Sequence, residues 1–248
     1  MDIYVILLRN MVYILLSLIC SAGLFALYNR FPPAWFMERV GTEATQPKPS
    51  LLRKFPDGLI YISTLTLISF VFFTRYDYSL LLLCCLLSAV FLVMISASDI
   101  KTGLIPDQFT LGLIFSSLFW MAYDIFLVQN AEKEWYGIFT TRMIAGIIGG
   151  GALLLIGVIG KLLMKKESVG MGDVKLLFAC GLVVDLKGIT AVIAISFILA
   201  LIPALTGILT RRKFFDRLPF APFISAATVL YLLFPEQTAM IFLFNGGL

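Results

Sequence analysis

The chain has 248 residues, 60% of them hydrophobic and 14% charged, with a formal net charge of +4. That apolar content exceeds what a soluble domain of this size can bury, so the chain is a polytopic membrane protein with the lipid bilayer as partner; nucleic acid is not expected. Histidine is absent, which removes Ser-His and Cys-His catalysis and the usual zinc ligands together.

Eight apolar runs follow one another along the chain: Tyr4–Leu27, Gly58–Phe73, Tyr78–Ala97, Phe109–Val128, Met143–Met164, Val169–Val184, Ile189–Leu209 and Phe220–Phe234. They predict an all-α membrane bundle of about eight transmembrane helices. A crossing takes about 20 residues at ~1.5 Å each, so several runs are short. Val169–Val184 approaches that length only with Asp173 included, which places Asp173 within the membrane boundary. The first run could be mistaken for a signal peptide ending at Cys20. Arg9 interrupts it and Ile19 stands where cleavage wants a small residue, so a retained helix is expected. Two parts result: residues 1–57, a first helix plus loop, and 58–248, one membrane domain.

Cys20, Cys84, Cys85 and Cys180 all lie in apolar runs and form no Cys-x-x-Cys pair. Each is expected to pack as a small hydrophobe.

The connecting segments alternate in charge. Tyr28–Pro56, Ser98–Asp107, Lys161–Lys175 and Arg211–Leu218 hold fourteen of the nineteen Lys and Arg. The positive-inside rule puts these segments in the cytoplasm. Asp57, Asp99, Asp107, Asp173 and Asp216 then share one face, whereas Asp2, Asp77, Asp124 and Asp185 lie across a core of roughly 30 Å. Tyr28–Pro56 reads as an irregular cytoplasmic loop, with room for a short interfacial helix near Trp35.

Val169-Gly170-Met171-Gly172-Asp173-Val174-Lys175 is the most informative stretch. An acid at a membrane edge is costly without work or a partner. A second acidic stretch, Asp99-Ile100-Lys101-Thr102-Gly103-Leu104-Ile105-Pro106-Asp107, follows another apolar run on the same predicted face. Peptide hydrolysis by two carboxylates needs one ionised, to take a proton from water, and one protonated, to polarise the carbonyl. Held close together, such a pair titrates in two separated steps. Gly170 and Gly172 allow a backbone to approach an extended peptide, and Asp173 at a helix start sits where the helix dipole favours an anion. Read singly, Gly-x-Gly-Asp is a chance match, and Asp99 to Asp107 is an interfacial turn with a local ion pair. The two together on one face shift the balance to catalysis.

With Leu218-Pro219-Phe220-Ala221-Pro222-Phe223, these stretches resemble the type IV prepilin peptidases, membrane aspartic proteases of the Gly-x-Gly-Asp class. Ala221 replaces glycine in the family's Pro-Phe-Gly-Pro-Phe. The resemblance covers about Gly58–Phe234 and implies Asp99 and Asp173 as the catalytic pair, in an enzyme that cuts a basic leader from type IV prepilins or pseudopilins at the cytoplasmic face of a bacterial inner membrane. Asp107 is the rival to Asp99, which is preferred because it abuts a helix end while Asp107 follows Pro106 in a solvated turn. Lys101 and Lys175 either steady charge at the lipid boundary or, the favoured reading, are snorkelling interfacial lysines. Larger family members carry zinc-binding Cys-x-x-Cys pairs in their first loop and N-methylate the new terminus with S-adenosylmethionine. Tyr28–Pro56 contains no cysteine, so no zinc site is expected, no cofactor is needed for proteolysis, and methylation stays open.

Tyr76-Asp77, Gly170–Asp173 and Pro203-Ala204-Leu205 also resemble the three motifs of presenilin-like proteases, but Asp77 falls on the face opposite Asp173. Two other classes compete with the peptidase: a transporter carrying protons or cations on intramembrane acids, which would want acids at mid-membrane depth in repeated halves, and a non-catalytic assembly component.

Overall fold

The computed structural model describes residues 3–30, 57–76, 80–126, 135–164, 169–209, 219–235 and 237–238. Among these, every regular element is helical: α1 (Ile3–Tyr28), α2 (Asp57–Tyr76), α3 (Leu80–Thr102), α4 (Asp107–Phe126), α5 (Trp135–Met164), α6 (Met171–Leu209) and α7 (Ala221–Leu233). Six of them are long and apolar enough to cross a membrane; α7, with 13 residues, is shorter. The protein is a multi-pass membrane helix bundle. Asp2, Asp77, Asp216, the interfacial helix expected near Trp35 and most of the Tyr28–Pro56 loop lie outside the described residues.

The expected boundary between the sixth and seventh runs is present inside α6. At Asp185 the backbone leaves the helix (φ 72°, ψ −174°), a region in which non-glycine residues are strained. The Asp185 side chain stabilises the break by accepting a hydrogen bond from Gly188 N–H at 2.8 Å, capping the second half of α6. Met171 to Val184 is therefore a short helix of its own. Two ends lie further out than the apolar runs: α3 runs on to Thr102 and α5 starts at Trp135.

The α6 helix is the centre of the bundle, packed on α4, α5 and α7, while α3 joins α4, α7 and α2. At the α5–α6 crossing, a Cβ on Gly181 would lie 2.5 Å from the Ala145 carbonyl oxygen of α5. Small residues let membrane helices approach closely where no hydrophobic effect drives them together. A polar seam joins α3 to α4: Trp120 Nε1 donates to Ser88 Oγ at 3.0 Å, and Ser88 and Ser116 hydroxyls lie 3.2 Å apart. Many large apolar side chains on α1, α4, α5 and α6 are exposed, which for a membrane protein is the lipid-facing surface.

The described charges collect at the two ends of the bundle, with the aspartates grouped as the charge pattern expected. Asp57, Asp99, Lys101, Asp107, Asp173 and Lys175 form one end. At the other, Arg142 donates from Nε and Nη2 to Asp124 Oδ2 at 3.0 and 2.6 Å. Its Nη1 donates to the Leu182 and Val183 carbonyls at 2.8 and 2.6 Å. This buried guanidinium thus closes the C-terminal end of the short helix whose first turn carries Asp173. Tyr76 Oη donates to the Leu232 carbonyl at this same end, so the presenilin-like motif beside Tyr76 starts far from Asp173.

Three of the four cysteines are buried as expected; Cys20 is not. It is exposed on α1, where a small apolar side chain meets lipid as readily as protein.

Candidate active site

Asp99 lies in the last turn of α3, where Gly103 ends the helix in the left-handed region (φ 66°) and donates its N–H to the Asp99 carbonyl at 2.8 Å. This is the single-bond glycine cap. The turn beyond it is tied by Ser98 Oγ donating to the Leu104 carbonyl at 2.9 Å and Thr102 Oγ1 to the Ser98 carbonyl at 2.8 Å. The Asp99 side chain is nearly buried, 7% exposed, and its Oδ2 accepts from Ala221 N–H at 3.1 Å. Ala221 is the first residue of α7, so Asp99 occupies the positive end of that helix.

Asp173 lies in the first turn of α6. Its N–H donates to the Gly170 carbonyl at 3.1 Å, which starts the helix directly behind the Gly-Met-Gly stretch. A Cβ on Gly172 would stand 3.1 Å from Ile105 Cβ, and one on Gly170 would stand 3.2 Å from Asp173 Oδ2. The two glycines thus serve different ends: Gly172 lets the α3–α4 turn pack against α6, and Gly170 leaves the carboxylate free. Asp173 is partly buried, and its Oδ1 has no hydrogen-bond partner among the described residues. The turn that follows Asp99 thus packs through Ile105 beside Asp173, which brings the two acids to the same end of the bundle.

Asp107 stands apart. It is the first residue of α4, its side chain 63% exposed, and it pairs with Lys175 at 2.8 Å. Lys101 pairs with Asp57 at the start of α2. Both lysines thus reach a carboxylate on a neighbouring helix at this end of the bundle. The local ion pair expected within the Asp99 to Asp107 stretch gives way to these cross-helix pairs. Ala221 was missed as a site residue; its only signal was its place in a Pro-Phe-x-Pro-Phe stretch, because a backbone N–H has no sequence signature.

No group of three or more His, Cys, Asp or Glu able to hold a metal ion occurs among the described residues. The Tyr28–Pro56 loop, with no cysteine, does not fit the thiolate set that zinc takes in a structural site.

Residues 85–205 match the model of the type IV leader peptidase family. Leader peptidase HopD of Salmonella typhimurium (strain LT2) is 31% identical over 141 residues, 56% of this chain and 84% of that protein. The chain belongs to the type IV leader peptidase family. Prepilin leader peptidase/N-methyltransferase of Burkholderia pseudomallei (strain K96243) is 31% identical over 147 residues, 58% of this chain, but only 43% of that protein is covered. The protein so named in Bacillus subtilis (strain 168) is 29% identical over 168 residues, 66% of this chain and 60% of its own length. The chain thus spans about half the length of several of the longer relatives it matches. No solved structure matches it significantly. The matched span contains both Asp99 and Asp173, whereas α7, whose N-terminus holds Asp99, lies beyond the family match.

Proposed function

We propose that this protein is a membrane-embedded aspartic endopeptidase that cuts the leader from type IV prepilins or pseudopilins, with Asp99 and Asp173 as the catalytic pair. One observation carries the reading: two acids 74 positions apart are brought to one end of the bundle, where Ile105, in the turn after Asp99, packs on Gly172, the residue before Asp173. The names of the relatives supply the substrate class.

The chemistry follows from the pair. A water held between the carboxylates loses a proton to the ionised one as its oxygen adds to the scissile carbonyl. The protonated one donates to the carbonyl oxygen. Collapse of the tetrahedral intermediate breaks the C–N bond: the proton taken from water passes to the leaving nitrogen, and the proton on the former carbonyl oxygen returns to the carboxylate that gave it as the C=O bond re-forms. Ala221 N–H holds one Asp99 oxygen and so fixes the orientation of that carboxylate, while Gly170 keeps the approach to Asp173 low. Asp107 and Lys175 shape the entrance. Lys101, paired with Asp57, ties α3 to α2.

The basic loops support a reading in which this end faces the cytoplasm, and a bacterial inner membrane is the setting that goes with such a substrate. Residues 58–248 are read as the peptidase domain, and residues 1–57 as an accessory helix and loop without the zinc cysteines. Hydrolysis by two acids calls for no cofactor; methylation of the new terminus would require S-adenosylmethionine and is a separate question. Incubation of the detergent-purified protein with a prepilin, followed by mass spectrometry of the products, tests both. A leader cut at one bond by the unsubstituted protein, and not by Asp99→Asn or Asp173→Asn, is the expected result. Full processing by either variant would end the reading, and an added methyl group would extend it.

A further inference from the structure

The α4 and α5 helices touch little, because α6 stands between them. The gap they leave is an apolar groove of about 510 Å³. Leu111 and Ile114 of α4 form one wall, Ile147 and Gly151 of α5 the other, and Val174 and Phe178 of α6 the floor. From Asp107 to Ile114 it extends about 10 Å along α4, roughly two helix turns.

Three observations say what it takes. First, the groove opens toward lipid: Leu111 and Ile147, at its rims, are 62% and 61% exposed. Second, beyond it α5 continues through ten apolar residues, Gly151 to Gly160, before Lys161, and Leu154, Leu155, Ile156, Val158 and Ile159 of that stretch are exposed. The groove thus lies alongside helix surface that needs lipid, and a peptide segment arriving there must be helical to satisfy its backbone. Third, the groove borders the first turn of α6, which carries Asp173. Val174 of its floor follows Asp173, and the Asp107–Lys175 pair closes its end. On the α5 side a Cβ at Gly151 would meet nothing within 4 Å, so the backbone of a second helix can come close, as small residues permit in membranes.

We infer that the groove between α4 and α5 seats the apolar helix of the substrate, holding it against α6 so that the unwound stretch preceding it passes over the Gly170–Gly172 edge to the two acids. This rests on the peptidase reading above and names the recognition surface of that site. Specificity is then set by an apolar helix able to lie against a glycine, with Asp107 and Lys175 as the polar stop that aligns its end.

A photoreactive benzoylphenylalanine at Ile147 in the Asp173→Asn protein, reconstituted in liposomes with a full-length prepilin, tests the surface. The same group at Ile60, an exposed residue at this end of α2, is the control. A cross-link from 147 that maps to the first turns of the prepilin's apolar helix, with none from 60, is expected. Cross-links from 147 only to lipid or to a second copy of the enzyme would overturn the inference. So would equal yields from both positions, even though the unsubstituted protein still cuts the prepilin and the peptidase reading stands. A cross-link from 147 without any cutting by the unsubstituted protein would instead sink the peptidase reading and keep the groove. As a second arm, Gly151→Trp fills the groove from a position with no protein neighbour. Prepilin processing should fall roughly 100-fold, the scale of a misplaced substrate, with the thermal midpoint in detergent kept; unaltered processing would overturn the inference.

Discussion

Asp99 Oδ2 accepts a hydrogen bond from Ala221 N–H at 3.1 Å, joining residues 122 positions apart. One carboxylate of the proposed pair therefore also caps α7, and chemistry and fold can be separated by choice of substitution. Asn at 99 keeps an oxygen for the Ala221 amide but cannot act as acid or base. Processing should fall by about 10²–10⁴, the usual worth of a positioned acid or base, while thermal unfolding in detergent stays close to that of the unsubstituted protein. Ala at 99 should lose activity and, in addition, about 1 kcal/mol of stability with the cap.

The pH dependence of prepilin cleavage should be bell-shaped. Activity requires one carboxylate ionised and its partner protonated. It is lost as pH falls and the anion takes up a proton, and lost again as pH rises and the shared proton leaves. Initial rates across a pH series check this; a single sigmoid would mean that only one acid takes part.

Gly181→Ala should be strongly felt although it adds only one methyl. The new Cβ would stand 2.5 Å from the Ala145 carbonyl oxygen and 2.7 Å from Gly146 Cα, backbone atoms that cannot rotate away. A loss of about 1–3 kcal/mol is the scale of such overpacking. Gly23→Ala, whose Cβ meets nothing within 4 Å, should leave the detergent melting curve unchanged.

Arg142→Ala should destabilise by about 1–3 kcal/mol, because it leaves the Leu182 and Val183 carbonyls unpaired in a buried place and takes the partner from the half-buried Asp124. Combining it with Asp124→Asn should give less than the sum of the two single losses, since they share one interaction. Urea or thermal unfolding of the four proteins completes the cycle. As Arg142 holds the end of the Met171–Val184 helix, the variant should also cut prepilin more slowly.

Much of the site was legible in the sequence. Gly-x-Gly-Asp marked Asp173, the acid-rich turn after an apolar run marked Asp99, and the alternation of basic loops sorted the described aspartates to the correct ends. These are local or additive signals, written in spacing and charge. The partners of Lys101 and Lys175 were not legible, because Asp57 and Asp107 lie on other helices and a lysine at a helix end looks the same in sequence whether or not it also pairs.

Asp185 shows the other limit. A gap between two apolar runs announced a loop, but the break is a single strained residue capped by its own side chain, a matter of backbone geometry that hydropathy does not record.

Hydropathy and charge order are properties of the chain read in one dimension, and by themselves they determined a multi-pass helical bundle with Asp99 and Asp173 at the same end. Lipid leaves each apolar run little choice but helix, and loop charge orients it. Which helices touch was decided only in three dimensions. Glycines at the α5–α6 crossing, the buried Arg142 and the N-terminus of α7 set how the two acids meet, since packing between surfaces far apart in sequence depends on shapes that no local pattern encodes.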